Sequence, residues 1–167
     1  MKIAGMLLLV LAGGGIGWLR ASALQIRVRT LEAAYRLTVW LKTQLRYTAA
    51  PPGDLMRRAA GQEEFSRFAT LKEWKRQPPG PFPEVWKRAV AASEADNRFT
   101  AEDSRLLVEF GDGLGKTDME GQKAHGDLYA SLFRERCDEA RSQAKTKGRM
   151  EMVLWLSGAA ALSFLLL

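Results

Sequence analysis

The residues of this chain that most resemble chemistry form a glycine-rich stretch ending in a lysine, Gly111-Asp-Gly-Leu-Gly-Lys116-Thr117. Before it stands Arg105-Leu-Leu-Val-Glu-Phe110, which a strand could accommodate. In a P-loop such residues bind phosphate: backbone N–H groups cradle the oxygens, the lysine neutralises them and the threonine meets magnesium. The spacing does not fit. The motif needs a glycine five residues before the Gly-Lys pair, and that position is Phe110; Gly111 comes one residue late. The context does not fit either, because a P-loop joins a strand of a parallel sheet to a helix, and no other segment reads as a buried strand. A nucleotide-binding enzyme using Lys116 is therefore kept only as an alternative.

Asp118, Gln122 and His125 follow at i, i+4 and i+7, one face of a helix that could present a metal. One histidine and one carboxylate make a thin ligand set. The plainer reading gives Asp118 to helix-start electrostatics and the other two to polar packing. Cys137 is the single cysteine and reads as a small buried apolar residue. No serine or cysteine has an evident histidine relay. These residues supply no evident catalytic group, cofactor site or metal site, and the expectation is that the protein is not an enzyme, as the family resemblance given below implies.

The elements that position these residues are helices. Leu24, Val28, Leu31, Tyr35, Thr38, Leu41 and Leu45 recur at three- and four-residue steps, with Arg29, Glu32 and Arg36 opposite. That helix is expected to stop near Tyr47, before Pro51-Pro52. A short helix is expected over 54–60, with Gly61 as its stop. A second is expected over 63–76, with Phe65, Phe68, Leu71 and Trp74 inward. Pro78-Pro79-Gly80-Pro81 breaks the chain. The next helix, over 83–96, carries Val85, Trp86, Ala89 and Val90. Thr100 is an expected N-cap, with Asp103 in the first turn, for a helix holding Leu106, Leu107 and Phe110. Thr117 and Glu120 match a capping box. The helix they open carries the stripe Gly126, Tyr129, Phe133, Cys137, Ala140 and Ala144, with Gly148 next. The expected fold is all-α, an antiparallel pair of long helices with three or four shorter ones.

Two apolar runs, 3–19 and 152–167, carry no charge. At 1.5 Å per residue they make helices of roughly 24 to 26 Å, short against a hydrocarbon layer of about 30 Å. They span it if Lys2, Trp18 and Met150 contribute or the bilayer thins locally. Arg20, Arg27, Arg29 and Arg36 follow the first run; Arg141, Lys145, Lys147 and Arg149 precede the second. The positive-inside rule then puts residues 20–150 in the cytoplasm, as a helical domain between two transmembrane helices. Residues 20–50 hold six Arg or Lys against one acid, Glu32. This excess is read as attraction to anionic lipid headgroups rather than to nucleic acid. The competing reading takes 3–19 as the core of a signal peptide, with Ala21-Ser22-Ala23 as its cleavage site. The protein would then be an exported, C-terminally anchored helical adaptor. Early positive charge and the lone cysteine weigh against export.

The stretch from Leu107 to Gln122, followed by an amphipathic helix and a terminal apolar segment, resembles the stage III sporulation protein AB family. The matching positions are Phe110, Gly111, Leu114, Gly115, Asp118 and Gln122. The layout agrees over nearly the whole chain, and the departure is the proline-rich stretch from Pro78 to Pro83. The resemblance implies a non-catalytic platform subunit of the mother-cell-to-forespore transenvelope channel of endospore formers. It places that subunit in the cell membrane on the mother-cell side, where the forespore is engulfed. The family is similar to the inner-membrane platform protein of type II secretion. That likeness implies docking of a secretion-type ATPase and contact with other membrane subunits, and it leaves homo-oligomerisation open. Within it Phe110 and Leu114 are expected in the core, and the glycines of the near P-loop become a helix–turn–helix joint. Arg57, Arg58, Lys87 and Arg88 are the expected exposed charges for partner contact.

Overall fold

A computed structural model describes the backbone of residues 2–48 and 50–165. Side chains are described for 18–147, except 49, and for Gly15, Met150, Val153, Ser157 and Gly158. The described residues form six α-helices and no strand, so the fold is all-α. The helices are α1 (Lys2–Tyr47), α2 (Pro52–Ala59), α3 (Ala69–Arg76), α4 (Phe82–Asn97), α5 (Ala101–Gly113) and α6 (Met119–Leu165), with a 3-10 turn at Glu63–Phe65. The chain divides into two compact units, Met1–Val28 with Glu139–Leu167, and Arg29–Asp138.

In the first unit Arg27 is buried and donates from Nη1 to Gln143 Oε1 at 3.0 Å. Trp18, Leu19, Met150 and Val153 stand exposed. No helix among the described residues is long and apolar enough to cross a membrane. The expected transmembrane runs 3–19 and 152–167 fall for the most part outside the described side chains.

The second unit holds the core. On α1 Leu31, Thr38 and Leu41 are buried as expected, Tyr35 and Leu45 are only half-buried, and Ala34 and Leu37 complete the buried stripe. Fully burying one such leucine contributes about 1.5 to 3 kcal/mol. Pro52 opens α2 at a position where a proline costs no hydrogen bond, and Leu55, Met56 and Ala59 face inward.

The expected single helix over 63–76 is two pieces. Phe68 is extended, with φ −81° and ψ 105°, between the 3-10 turn and α3. In one continuous helix the rings of Phe65 and Phe68 would share a stripe. Here they serve different partners: Phe65 lies edge-on to Trp40 and Phe68 edge-on to Phe99, each with centroids 6.4 Å apart. Leu71 is buried as expected, but Trp74 is only half-buried.

A buried polar cluster joins α3 to α4. Thr70 Oγ1 and Ser93 Oγ are 2.8 Å apart, and Asn97 Nδ2 donates to both. From α1, Thr30 Oγ1 donates to the Asn97 carbonyl at 2.8 Å. Thr100 caps α5 as expected, and Asp103 completes a capping box by accepting from Thr100 N at 3.0 Å. Asp103 is fully buried, and its other oxygen takes Arg136 Nε from α6 at 2.9 Å. The cap thus doubles as the anchor of an ion pair.

Helices α4 and α5 approach closely. Trp86 is fully buried and donates from Nε1 to the Leu107 carbonyl at 2.8 Å. Its ring lies over Gly111, where an added Cβ would be 2.0 Å from Trp86 Cδ1. Only a hydrogen fits there. Gly111→Ala should cost about 3 kcal/mol, the upper end for overpacking. The denaturant midpoint of the variant, followed by tryptophan fluorescence, measures this; an unchanged midpoint would refute the contact.

Candidate functional site

The glycine-rich stretch is the turn between α5 and α6. Residues 105–110 are helix, and Phe110 and Gly111 lie within α5. After Gly113 the chain turns through Leu114, which is buried, and Gly115, whose φ of +76° suits glycine. Pro52 packs against Gly115, with Cγ 3.0 Å from where a Cβ would stand. Lys116 is exposed.

Gln122 closes this turn. Its Oε1 accepts from Gly115 N at 3.1 Å, and its Nε2 donates to the Gly113 carbonyl at 3.0 Å and to Thr117 Oγ1 at 2.9 Å. The Gly115 amide is therefore committed to the protein itself. A phosphate placed beside Lys116 would have to displace it, whereas a P-loop keeps such amides free for its ligand.

The expected capping box of Thr117 with Glu120 does not form. The helix starts one residue later, and Asp118 is its cap: Asp118 Oδ1 accepts from Gly121 N at 2.9 Å. The Thr117 hydroxyl is taken by Gln122, which removes it from the capping role. His125 Nε2 lies 2.8 Å from the Phe110 carbonyl, and its ring stacks on Phe110 at 5.7 Å. Asp118, Gln122 and His125 thus each serve the turn or the hairpin, and no three-residue His, Cys, Asp or Glu cluster suited to a metal occurs among the described residues.

Tyr129 completes this aromatic set, with its ring 4.5 Å from His125 and 5.6 Å from Phe110. Burial pushes its phenol above the ordinary 10.0, and the nearby Glu109 and Asp112 carboxylates push the same way. A raised value means the folded state holds this proton more firmly than the unfolded chain. The associated stability is present below pH 10.0 and is lost as pH climbs through the folded value.

The four surface cations are all exposed. Arg57 pairs with Asp54. Arg88 donates to Gln77 Oε1 at 3.3 Å and to the Pro78 carbonyl at 3.4 Å. The side chains of Arg58 and Lys87 make no hydrogen bond or ion pair among the described residues. Of the four, Arg57 alone lines a surface groove of about 500 Å³, together with Trp74, Lys75, Phe82 and the proline-rich loop. Sequence periodicity assigned Trp74 to the core and gave no sign of this groove.

Two outcomes test this geometry. Gln122→Ala removes the partner of the Gly115 amide and leaves the Gly113 carbonyl only the long bond from Lys116 N at 3.5 Å, so stability should fall by about 1 kcal/mol. Thermal unfolding measures it, and a loss within error would show that the turn does not need the amide. In an alkaline titration followed by near-ultraviolet absorbance, the phenol removed by Tyr129→Phe should be one that ionises above pH 10.0. A difference curve centred at or below that value would contradict the burial of this side chain.

No curated protein and no solved structure matches the chain. The family model for stage III sporulation protein AB matches residues 2–167. All six positions that carried the resemblance are now placed: Phe110 in the core, Gly111 under Trp86, Leu114 buried, Gly115 at the left-handed turn, Asp118 at the cap and Gln122 across the turn. The chain belongs to the stage III sporulation protein AB family, and its role lies in stage III of sporulation.

Proposed function

We propose that the protein is a non-catalytic platform subunit of the mother-cell-to-forespore channel, held in the cell membrane on the mother-cell side with its central residues in the cytoplasm. One observation carries this reading: the two longest helices, α1 and α6, each contain an uncharged run, and each run is flanked on its inner side by Arg and Lys. Basic residues on the inner flank retain that flank in the cytoplasm. The bare side chains of Trp18, Leu19, Met150 and Val153 add support, because lipid or its interface would cover what water now meets.

The platform part of the reading rests on the second unit. Its motif residues are engaged in packing and in closing a turn, which suits a rigid support. Its exposed cations, Arg57, Arg58, Lys87 and Arg88, suit docking of a secretion-type ATPase and contact with other membrane subunits. Homo-oligomerisation is compatible with this role.

The alternative, an exported adaptor anchored only by its C-terminal run, differs in the side of the membrane on which the second unit lies. Cysteine labelling separates the two. Cys137 is buried, so Cys137→Ala supplies the background. Ala92 is exposed, and Ala92→Cys reports on the second unit, while Lys2→Cys reports beyond the first run. In intact cells a membrane-impermeant thiol reagent should modify Lys2→Cys and spare Ala92→Cys. Modification of Ala92→Cys without lysis would place the unit outside and sink the platform reading.

A further inference from the structure

A groove opens on the surface beside α3. It lies within the second unit and is walled by Trp74 and Lys75 of α3, by Pro78 and Pro79, by Phe82 at the start of α4, and by Arg57 of α2. Its volume of about 500 Å³ falls in the range of small-ligand and peptide-anchor sites, roughly 300 to 1,000 Å³.

Its chemistry is one-sided. The charged side chains lining it are Arg57 and Lys75, and no carboxylate lines it. Arg88 adds a third cation at the same loop, since its Nη2 approaches Gly80 and donates to the Pro78 carbonyl. Each cation keeps donors in reserve. Lys75 Nζ spends one of its three on the Ala60 carbonyl at 2.7 Å. Arg57 holds Asp54 in an exposed i,i+3 pair, which an incoming carboxylate can replace at little cost.

The floor is apolar and stiff. Prolines fix their own φ, so the wall loses little freedom when the groove fills. Trp74 and Phe82 are each half-buried, so both line the groove while keeping part of their apolar surface open.

We propose that this groove binds a short extended acidic peptide of a partner protein, with one apolar side chain against Trp74 and Phe82 and flanking carboxylates on Arg57 and Lys75. The inference does not rest on the platform reading, because the groove has the same chemistry on either side of a membrane.

The test uses the full chain in detergent micelles and fluorescent heptapeptides with a central phenylalanine or leucine. One set is flanked by Asp and Glu, a second by Asn and Gln, and a third by Lys. Fluorescence anisotropy should show the acidic set bound, roughly tenfold tighter than the amide set. The double reversal Arg57→Glu with Lys75→Glu should weaken it by roughly tenfold or more, while Arg57→Lys with Lys75→Arg retains it. Lys116→Glu, an exposed change outside the groove, should leave binding unaltered. Circular dichroism of each variant checks that the helices persist. Equal binding of the acidic and amide sets, no binding of any set at millimolar peptide, or indifference to the double reversal would overturn the proposal. Binding of dihexanoyl-phosphatidylglycerol that the reversal abolishes, with no peptide bound, would overturn it in favour of a lipid site.

Discussion

The side-chain amide of Gln122 spans the turn between α5 and α6 and fixes how those helices run past one another. It satisfies one donor and two acceptors of the turn at once. That clamp sets the register of an αα-hairpin. Moving away from the turn, Phe110 of α5 meets His125, Tyr129 and Phe133 of α6, and Asp103 meets Arg136. All of these contacts share one register. A slip of one residue would rotate α6 by about 100° and carry Phe133 out of the core. It would also leave Asp103 buried without its guanidinium, a change that costs several kcal/mol. The capping box of α5 shares Asp103 with this ion pair, so the start of α5 and its end answer to one register.

Glycines next to a lysine invite a reading in terms of phosphate, and the structure gives each glycine a mechanical cause. Gly111 is required by the Trp86 indole, Gly113 by the His125 ring, whose Cε1 lies 2.1 Å from where a Cβ would stand, and Gly115 by its left-handed φ. These are two different kinds of steric demand, one from neighbouring helices and one from the backbone itself. They fall close together because a tight interhelical turn has to satisfy both within one short stretch. A loop whose amide is already bonded by a side chain is a joint, and its conformation resists exchange for a ligand.

Much of this was legible in the chain. Apolar residues at three- and four-residue steps gave α1, α4, α5 and α6, and prolines and glycines marked the end of α1, the start of α4 and the end of α5, whereas α4 ends at Asn97 with Arg98 left-handed. Thr100 was legible as a cap because its partner, Asp103, is local. The helix over 63–76 was misread for the opposite reason. Phe65 and Phe68 keep helical spacing, but their destinations, Trp40 and Phe99, are distant in sequence and pull the rings apart. Thr117 was misread because Gln122, five residues on, competes for its hydroxyl. Thr30, Thr70, Ser93 and Asn97 look like ordinary surface residues in a linear reading. Their burial rests on one another, and period analysis does not see pairs separated by 23 to 67 residues.

That buried cluster bears on the groove. Thr70 and Asn97 lie on α3 and α4, the two helices joined by the proline-rich loop that walls it. Hydrogen bonds in a buried setting demand good geometry, because a misaligned donor there has no water to fall back on. The cluster therefore ties the start of α3 to the end of α4, the end of this helix pair away from the loop. Proline removes most of the remaining freedom of the loop. Apolar burial alone would tolerate small slides of α3 on α4, since leucine and alanine contacts are nearly non-directional. Directional bonds at this interface oppose such slides, and on the loop side Phe82 is stacked on the buried Trp86 with ring centroids 6.1 Å apart, so the core itself holds the Phe82 ring at the groove.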